Sequence, residues 1–199
     1  MCNRKVRQMI KVNTFETERL IFRRWQELDS MPFYKMNSDP DVMEYFPKTL
    51  SRTESDSLIE RIENSFEDRG YGLWALELKD NKAFIGFLGF NFTDLESDFT
   101  PCIEIGWRID KNYWGKGYAT EGASKCLEVG FNTFFFQEIY SFTSKENTRS
   151  EKVMKRIGLT YVKEFNHPRI DENHWLCRHV LYRLKKDEFE KMCLTTTST

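Results

Sequence analysis

A glycine-rich loop between a strand and a helix is the first stretch of this chain whose residues could do chemistry. Gly115 and Gly117 follow an alternating apolar segment at residues 103–109, and a segment with helical apolar spacing follows at residues 119–131. The first N–H groups of a helix lack intrahelical acceptors, and the helix dipole adds partial positive charge there. Glycines let an anion approach this backbone closely. The pattern predicts either a site for a phosphate or pyrophosphate, or a tight turn in which the glycines serve geometry alone.

Two common phosphate-binding loops do not fit this stretch. A Walker A loop needs the spacing Gly-x-x-x-x-Gly-Lys-Ser/Thr, which residues 113–121 do not have. The dinucleotide-binding fingerprint Gly-x-Gly-x-x-Gly needs a third glycine where this chain has Thr120. Neither nucleotide-binding motif therefore accounts for the loop.

The loop instead resembles the acyl-coenzyme A pyrophosphate loop of the GNAT N-acetyltransferase superfamily, written Gln/Arg-x-x-Gly-x-Gly/Ala. The matching residues are Trp114, Gly117 and Ala119, with a tryptophan in place of the opening Gln or Arg. The string from Tyr113 to Glu121 is similar to the form found in the RimJ/RimL-like branch, the ribosomal-protein acetyltransferases. The resemblance covers roughly residues 14–185. Two further motifs of that branch occur in the expected order: Thr17-Glu18-Arg19-Leu20 and Glu104-Ile105-Gly106.

The resemblance implies a fold, a co-substrate and a reaction. The fold is the GNAT fold of the α/β (α+β) class, a mixed and mostly antiparallel sheet of six to seven strands with the central parallel strands splayed apart, flanked by about four helices. The reaction moves an acetyl group from acetyl-coenzyme A to a primary amine without a metal. By position, the coenzyme-binding residues would be Trp107, Arg108, Ile109, Trp114, Gly115, Lys116, Gly117, Tyr118, Ala119, Thr120, Asn147, Ser150 and Lys155.

Glu104 is the candidate general base, because it lies on the central strand among apolar residues. Burial raises the pKa of a carboxylate and suits it to take up a proton from an attacking ammonium. A glutamate that is ion-paired or lies at a strand edge explains the same residue equally well. His167 and His174 flank the loop of the last hairpin and are expected to be exposed surface histidines.

The helix that follows residue 147 carries the other candidates. The family's tyrosine general acid is replaced by Met154, so Ser150 or bulk water must reprotonate the leaving thiolate. Asn147 matches the asparagine whose amide contacts the pantetheine arm in the family, and either Asn147 or Ser150 also suits a helix cap. The basic residues in or beside this helix either neutralise phosphates or remain solvated: Lys152, Lys155 and Arg156.

Periodicity predicts the elements that position these residues. The pattern Ser51-x-x-Glu54 is a capping box, and the apolar spacing after it predicts an amphipathic helix that ends at Gly70. In the family this helical region overhangs the acceptor site. Alternating or continuous apolar runs predict strands at residues 20–25, 73–78, 83–92, 103–109, 139–143, 161–165 and 175–184.

Composition bounds the class of protein. A chain of 199 residues with 40% hydrophobic and 15% aromatic side chains predicts one domain, placed at residues 13–193 between a disordered extension (1–12) and a disordered tail (194–199). No apolar run reaches the ~20 residues of a membrane span, and a formal charge of −1 does not favour nucleic acid. Five widely spaced cysteines favour a reducing, cytoplasmic setting over a disulfide framework. We expect a monomer or homodimer.

The acceptor amine stays open. The RimJ/RimL-like resemblance suggests the N-terminal α-amine of a protein or peptide, whose pKa of about 7.7–8.0 leaves more neutral amine than the ~10.4 of lysine. The alternatives are a small amine (polyamine, amino acid or antibiotic) and a catalytically weak module that binds acyl-coenzyme A. Several acidic residues either attract a cationic acceptor or are solvated charges: Asp39, Asp41, Glu44, Glu54 and Asp56.

Overall fold

The computed structural model describes residues 10–196. Its helices are α1 (Ser30–Ser38), α2 (Arg52–Arg69), α3 (Tyr118–Asn132), α4 (Thr148–Arg156) and α5 (Lys186–Thr196). Its strands are β1 (Phe15–Glu16), β2 (Leu20–Arg23), β3 (Leu73–Leu78), β4 (Phe84–Thr93), β5 (Cys102–Ile109), β6 (Glu138–Ser144), β7 (Thr160–Asn166) and β8 (Arg178–Lys185).

The strands form one sheet in the order β1-β2-β3-β4-β5-β6-β8-β7. Neighbours pair antiparallel except β5 and β6, which are parallel and share the single register pair Glu104 with Tyr140, whereas β4 and β5 stay paired from Gly86–Ile109 to Thr93–Cys102. The expected splay of the central strands is therefore confirmed. Residues 10–196 contain eight strands rather than six to seven and five α-helices rather than about four. The two-residue β1 is too short to give an alternating pattern in the sequence.

Helices form where caps and apolar spacing predicted them. Ser51 caps α2 in a capping box with Glu54, and Gly70 ends the helix in the left-handed conformation (φ 81°). The inner face of α3 is fully buried, and each large side chain buried in this way contributes on the order of 1.5–3 kcal/mol. The last hairpin differs from the prediction, since residues 172–176 form turns and β8 begins at Arg178. Backbone bonds within these turns, such as Cys177 N–H to His174 O at 2.8 Å, replace pairing with β7.

Both ends of the described chain contact the domain. Trp74 Nε1 donates to Val12 O at 3.1 Å, inside the segment expected to be a disordered extension. At the other end α5 runs to Thr196, three residues beyond the expected domain boundary, and its Phe189 ring stacks on Phe131 at 4.9 Å. The rest of the expected extension and tail, residues 1–9 and 197–199, lies outside the described residues. Between residues 10 and 196, no helix has the length and apolar content needed to cross a bilayer.

Candidate active site

A cleft of about 760 Å³ opens where β5 and β6 diverge. Ser141 Oγ donates to Ile105 O at 2.9 Å and bridges the two strands at the closed end. Beyond this bridge the strands share no register pair, so the stretch from Gly106 to Ile109 borders the cleft. The cleft brings together most of the residues singled out in the sequence: Glu104, Trp107, Arg108, Ile109, Trp114, Gly115, Gly117, Tyr118, Ala119, Thr120, Asn147 and Ser150.

The glycine loop turns directly into α3 at one end of the cleft. Gly115 (φ 75°) and Gly117 (φ 83°) both take left-handed backbone conformations that side-chain-bearing residues rarely adopt. Gly117 is the N-cap residue, so the N–H groups of Tyr118, Ala119 and Thr120 have no intrahelical acceptor. These three residues line the cleft, which places the positive end of the helix dipole against it. This end of the cleft therefore suits a phosphate or pyrophosphate.

The carboxylate of Glu121 links the glycine loop to the turn between β1 and β2. Glu121 accepts hydrogen bonds from Thr17 Oγ1 at 2.5 Å and from Arg19 Nε at 2.6 Å. Arg19 also donates through Nη1 to Lys116 O at 3.0 Å, inside the loop itself. Burial opposes ionisation of Glu121, but the bonds from Thr17 and Arg19 outweigh it and lower its pKa. Two motifs that the sequence showed separately thus form one support for the loop.

Trp114 stands where the family's loop has Gln or Arg, and it makes its own contacts. Its indole Nε1 donates to Ile109 O at 2.7 Å, which ties the loop to the end of β5. The guanidinium of Arg149 lies 4.2 Å from the centre of the Trp114 ring system and is ion-paired with Glu44 at 2.7 Å. Trp114 therefore connects the loop, α4 and the α1–α2 connection (residues 39–51).

Glu104 lies on the cleft side of β5 and is half-buried. Burial raises its pKa to about 7, although Thr93 Oγ1 donates to its Oε2 at 2.6 Å and opposes the shift. Among residues 10–196 no cation pairs with it, so the ion-paired interpretation does not describe this residue. A carboxylate with a pKa near neutrality exchanges protons efficiently at physiological pH.

The start of α4 carries the remaining polar candidates. Asn147 caps the helix by accepting the Ser150 N–H at 3.1 Å, and its Nδ2 donates to Thr143 Oγ1 at 3.0 Å. The Ser150 side chain borders the cleft. Met154, which stands at the family's tyrosine position, is buried in the cleft wall and has no proton to give. Ser150 is therefore the hydroxyl-bearing residue of α4 that lines the cleft.

Two basic residues from the sequence interpretation do not reach the cleft lining. Lys155 Nζ is 2.8 Å from Glu151 Oε1, and neither residue lines the cleft. The Lys116 ammonium lies 5.2 Å from the Tyr113 ring centre, and only its main chain takes part in fastening the loop. The basic residues of α4 that do line the cleft are Arg149, Lys152 and Arg156.

Two histidines from the hairpin of β7 and β8 also line the cleft. His179 on β8 is buried, its ring centre lies 4.9 Å from that of His167, and burial lowers its pKa to about 4. His167 is half-buried and lines the cleft, so the expectation of an exposed surface residue is wrong. Burial lowers its pKa too, and both rings are therefore neutral at pH 7. His179 carried no signal in the sequence, since one histidine in an apolar strand resembles core packing.

The acidic residues that could have attracted a cationic acceptor form ion pairs outside the cleft. None of them lines the cleft, and each is ion-paired with a nearby basic residue. The pairs are Asp39 and Asp41 with Lys111, Glu44 with Arg149, Glu54 with Lys48, and Asp56 with Arg52.

Comparisons with known proteins agree with this geometry. A sequence model of the acetyltransferase (GNAT) domain matches residues 19–160. The chain is 33% identical over 147 residues to the uncharacterized N-acetyltransferase YnaD of Bacillus subtilis (strain 168), covering 72% of this chain and 80% of that one. A GNAT-family acetyltransferase from Bacillus anthracis has the same fold (TM-score 0.74, 24% identity, 87% and 99% covered), as does a ribosomal-protein-S5-alanine acetyltransferase from Vibrio fischeri (TM-score 0.71, 16% identity, 88% and 98% covered). This chain belongs to the GNAT family of acetyltransferases.

Proposed function

We propose that this chain moves the acetyl group of acetyl-coenzyme A to an α-amino group, such as the N-terminus of a peptide or protein. One observation carries the proposal: a carboxylate with a pKa of about 7, that of Glu104, lies in the same cleft as the exposed N–H groups of a helix N-terminus. The first feature suits proton uptake from an amine, and the second suits the phosphates of the coenzyme.

The residues at the loop end fit the coenzyme. The main-chain N–H groups of residues 118–120 would hold the pyrophosphate, with the cations of Lys152 and Arg156 on the neighbouring wall. The main chain of Trp107 to Ile109, left unpaired by β6, would align the pantetheine arm. The coenzyme supplies an activated thioester. The protein's task is then to position it, to take a proton and to stabilise developing charge.

Glu104 would accept the proton of the attacking ammonium, directly or through one water. A peptide α-amine has a pKa of about 7.7–8.0, close to that of this carboxylate, so the transfer is nearly balanced. A lysine amine has a pKa of about 10.4, and freeing its electron pair costs roughly 3.5 kcal/mol more. This difference favours an α-amine for a base of such modest strength.

Other groups of the site would stabilise the negative charge that develops on the thioester oxygen and would protonate the leaving sulfur. N–H groups of the main chain near Trp107 and Ile109 would donate to the developing oxyanion. Ser150, or water, would return a proton to the leaving thiolate, since Met154 has none. His179, with a pKa of about 4, stays neutral and does not compete for the proton at pH 7.

The test uses matched lysine-containing peptides with free and blocked N-termini, incubated with acetyl-coenzyme A and analysed by mass spectrometry. We expect acetylation of the free N-terminus only. Equal acetylation of lysine in both peptides would contradict the α-amine assignment. No acetylation of either peptide beside rapid acetylation of a small amine would replace it with a small-molecule acceptor.

A further inference from the structure

The cleft lining carries more positively charged than negatively charged side chains. Among residues 10–196, the cleft is lined by a single carboxylate, that of Glu104, although the whole chain is nearly neutral. One cation, Arg149, is neutralised by Glu44. Several other cations on the lining have no carboxylate partner within the described part of the chain: Arg108, Lys152, Arg156 and Arg169.

Arg108 shares β5 with the proposed base, and it lies on the same side of the strand as Glu104, four residues further along. Its Nη1 donates to Asn37 Oδ1 at 2.6 Å, and Asn37 is itself fully buried. The ring centres of Phe46 and Phe87 lie 4.1 Å and 5.3 Å from the Arg108 guanidinium carbon. Its neighbours are thus a neutral amide and two aromatic rings, where buried arginines ordinarily have a carboxylate.

The hydrogen-bonding capacity of Arg108 is largely unused. A guanidinium carries five N–H donors, and only the bond to Asn37 is made within residues 10–196. Its buried Nε has no partner among those residues. Burial lowers its pKa to about 10, which leaves the group charged at pH 7. A half-buried cation with a buried, unpartnered Nε and no counter-ion is costly, so a site that keeps one suits an anionic ligand.

Space for such a ligand exists between Arg108 and Glu104. Gly106 lies between them on the same side of the strand, and a Cβ added there would meet only Glu104 Oε1, at 3.9 Å. Four residues of strand separate the two Cα atoms by about 13 Å. An acceptor can therefore place its amine near Glu104 while a second group reaches the guanidinium.

We propose that the acceptor carries a carboxylate within a few bonds of its reacting amine, and that Arg108 binds this carboxylate. This inference rests on the proposed function, since it assigns a substrate class to the same cleft. An amino acid and a peptide that begins with Asp or Glu share this chemistry. Polyamines and aminoglycosides, which are polycations, do not match the charge of the lining.

Two matched substrate pairs test the carboxylate requirement. The first pair is a peptide beginning with Glu and the same peptide beginning with Gln, and the second is free leucine and leucinamide. We expect kcat/KM to be about 10- to 100-fold higher for the carboxylate in one pair, the range that a hydrogen bond to a charged group supplies. The pair that shows the preference identifies a peptide or a free amino acid as the source. In the leucine pair, intrinsic reactivity favours leucinamide, because the carboxylate of free leucine raises the pKa of its amine. A preference for leucine would therefore come from the protein.

Two variants test the role of Arg108 itself. Asn37→Asp would give Arg108 an internal carboxylate partner without removing it, and Arg108→Met would remove the charge and keep much of the volume. Both should reduce the preference to within about threefold, and Asn37→Asp, which conserves shape, should keep the thermal unfolding midpoint of the parent. Lys152→Met removes a different cleft cation and should leave the preference at the parent value.

Each outcome decides the inference. Equal or higher kcat/KM for the neutral member of both pairs would overturn it and leave the α-amine proposal standing. A preference unchanged in Arg108→Met, with a raised KM for acetyl-coenzyme A, would assign Arg108 to the coenzyme instead. No acetylation of any of the four compounds would overturn the proposed function and this inference with it.

Discussion

The two ends of the cleft are built in different ways. At the loop end, where we propose that the coenzyme binds (the coenzyme end), one continuous segment from Tyr113 to Thr120 lines the cleft and includes the three main-chain N–H groups at the start of α3. At the other end, where we propose that the acceptor binds (the acceptor end), side chains come from distant segments: Asn37 from α1, Phe46 from the α1–α2 connection, Arg108 from β5, and His167 and His179 from the last hairpin.

This difference sets what substitution can do at each end. A backbone site depends on conformation and on the absence of side chains, so it is damaged by adding atoms or charge. A side-chain site depends on particular groups, so it is damaged by removing or neutralising them. The predictions below use each kind of change at the end where it should matter, in order of decreasing effect.

Glu104→Gln removes basicity at the acceptor end and keeps the shape. We expect kcat to fall by roughly 10²–10⁴-fold, the contribution of a positioned base. The affinity for acetyl-coenzyme A, measured by calorimetry, should stay within about twofold of the parent. A variant with the turnover of the parent at pH 8 would assign Glu104 to structure alone.

Gly117→Asp adds bulk and negative charge at the coenzyme end. In the parent, acetyl-coenzyme A at 100 times its Kd should stabilise the fold by about 2.7 kcal/mol. The same concentration should give almost no rise in the unfolding midpoint of Gly117→Asp, because the added carboxylate lies where phosphate would bind. Gly117→Asn is the matched control, since asparagine tolerates the left-handed backbone and carries no charge. Equal shifts in parent and Asp variant would contradict the loop assignment.

Glu121→Gln weakens the hydrogen bonds from Thr17 and Arg19 that hold the glycine loop, and residue 121 itself does not line the cleft. We expect about a tenfold rise in KM for acetyl-coenzyme A with kcat little changed, because the ion pair with Arg19 is lost while the shape is kept. The pKa of Glu121 is lowered in the folded chain, so its contribution to stability is present above the unfolded pKa and is lost as pH falls through the folded one. The unfolding free energy of the parent should therefore fall toward that of Glu121→Gln in acid. A constant gap between them down to pH 3 would contradict this account of the support.

Ser150→Ala should have the smallest effect. A thiolate needs little help from an acid at neutral pH, and water can replace the hydroxyl, so we expect kcat to fall by less than about fivefold. The Asn147 cap uses the Ser150 N–H rather than its hydroxyl and survives the change. A loss of 100-fold, with unchanged stability, would make Ser150 an essential acid.

The sequence predicted the glycine turn and the helix that follows it, because the signals for both are local. Glycines at 115 and 117, followed at once by helical spacing, define the turn and the helix start without knowledge of the rest of the fold. The sequence showed Thr17 and Glu121 only in two separate motifs and did not show that they form a hydrogen bond, since they are separated by 104 positions. Pairing them required the sheet that brings β2 beside the start of α3.

The side-chain contacts at the proposed acceptor end were not predicted, because they join residues that are far apart in the sequence. Arg108 was assigned for its main chain, and nothing local shows that its side chain meets Asn37, 71 residues earlier. His167 was expected at the surface, and only the packing of β7 against β8 places its ring beside His179. The acidic residues of the α1–α2 region were candidates for attracting a cation until their ion pairs were seen.

The most direct test of the central claim is the ratio of kcat/KM for the parent to that for Glu104→Gln, measured from pH 5.5 to 9 with one α-amine acceptor. Titration of the acceptor cancels in this ratio, which isolates the carboxylate. Because burial raises the pKa of Glu104 to about 7, the ratio should be small in acid, rise through pH 7 and level off above it. A ratio that does not change with pH would contradict the claim that Glu104 takes the proton.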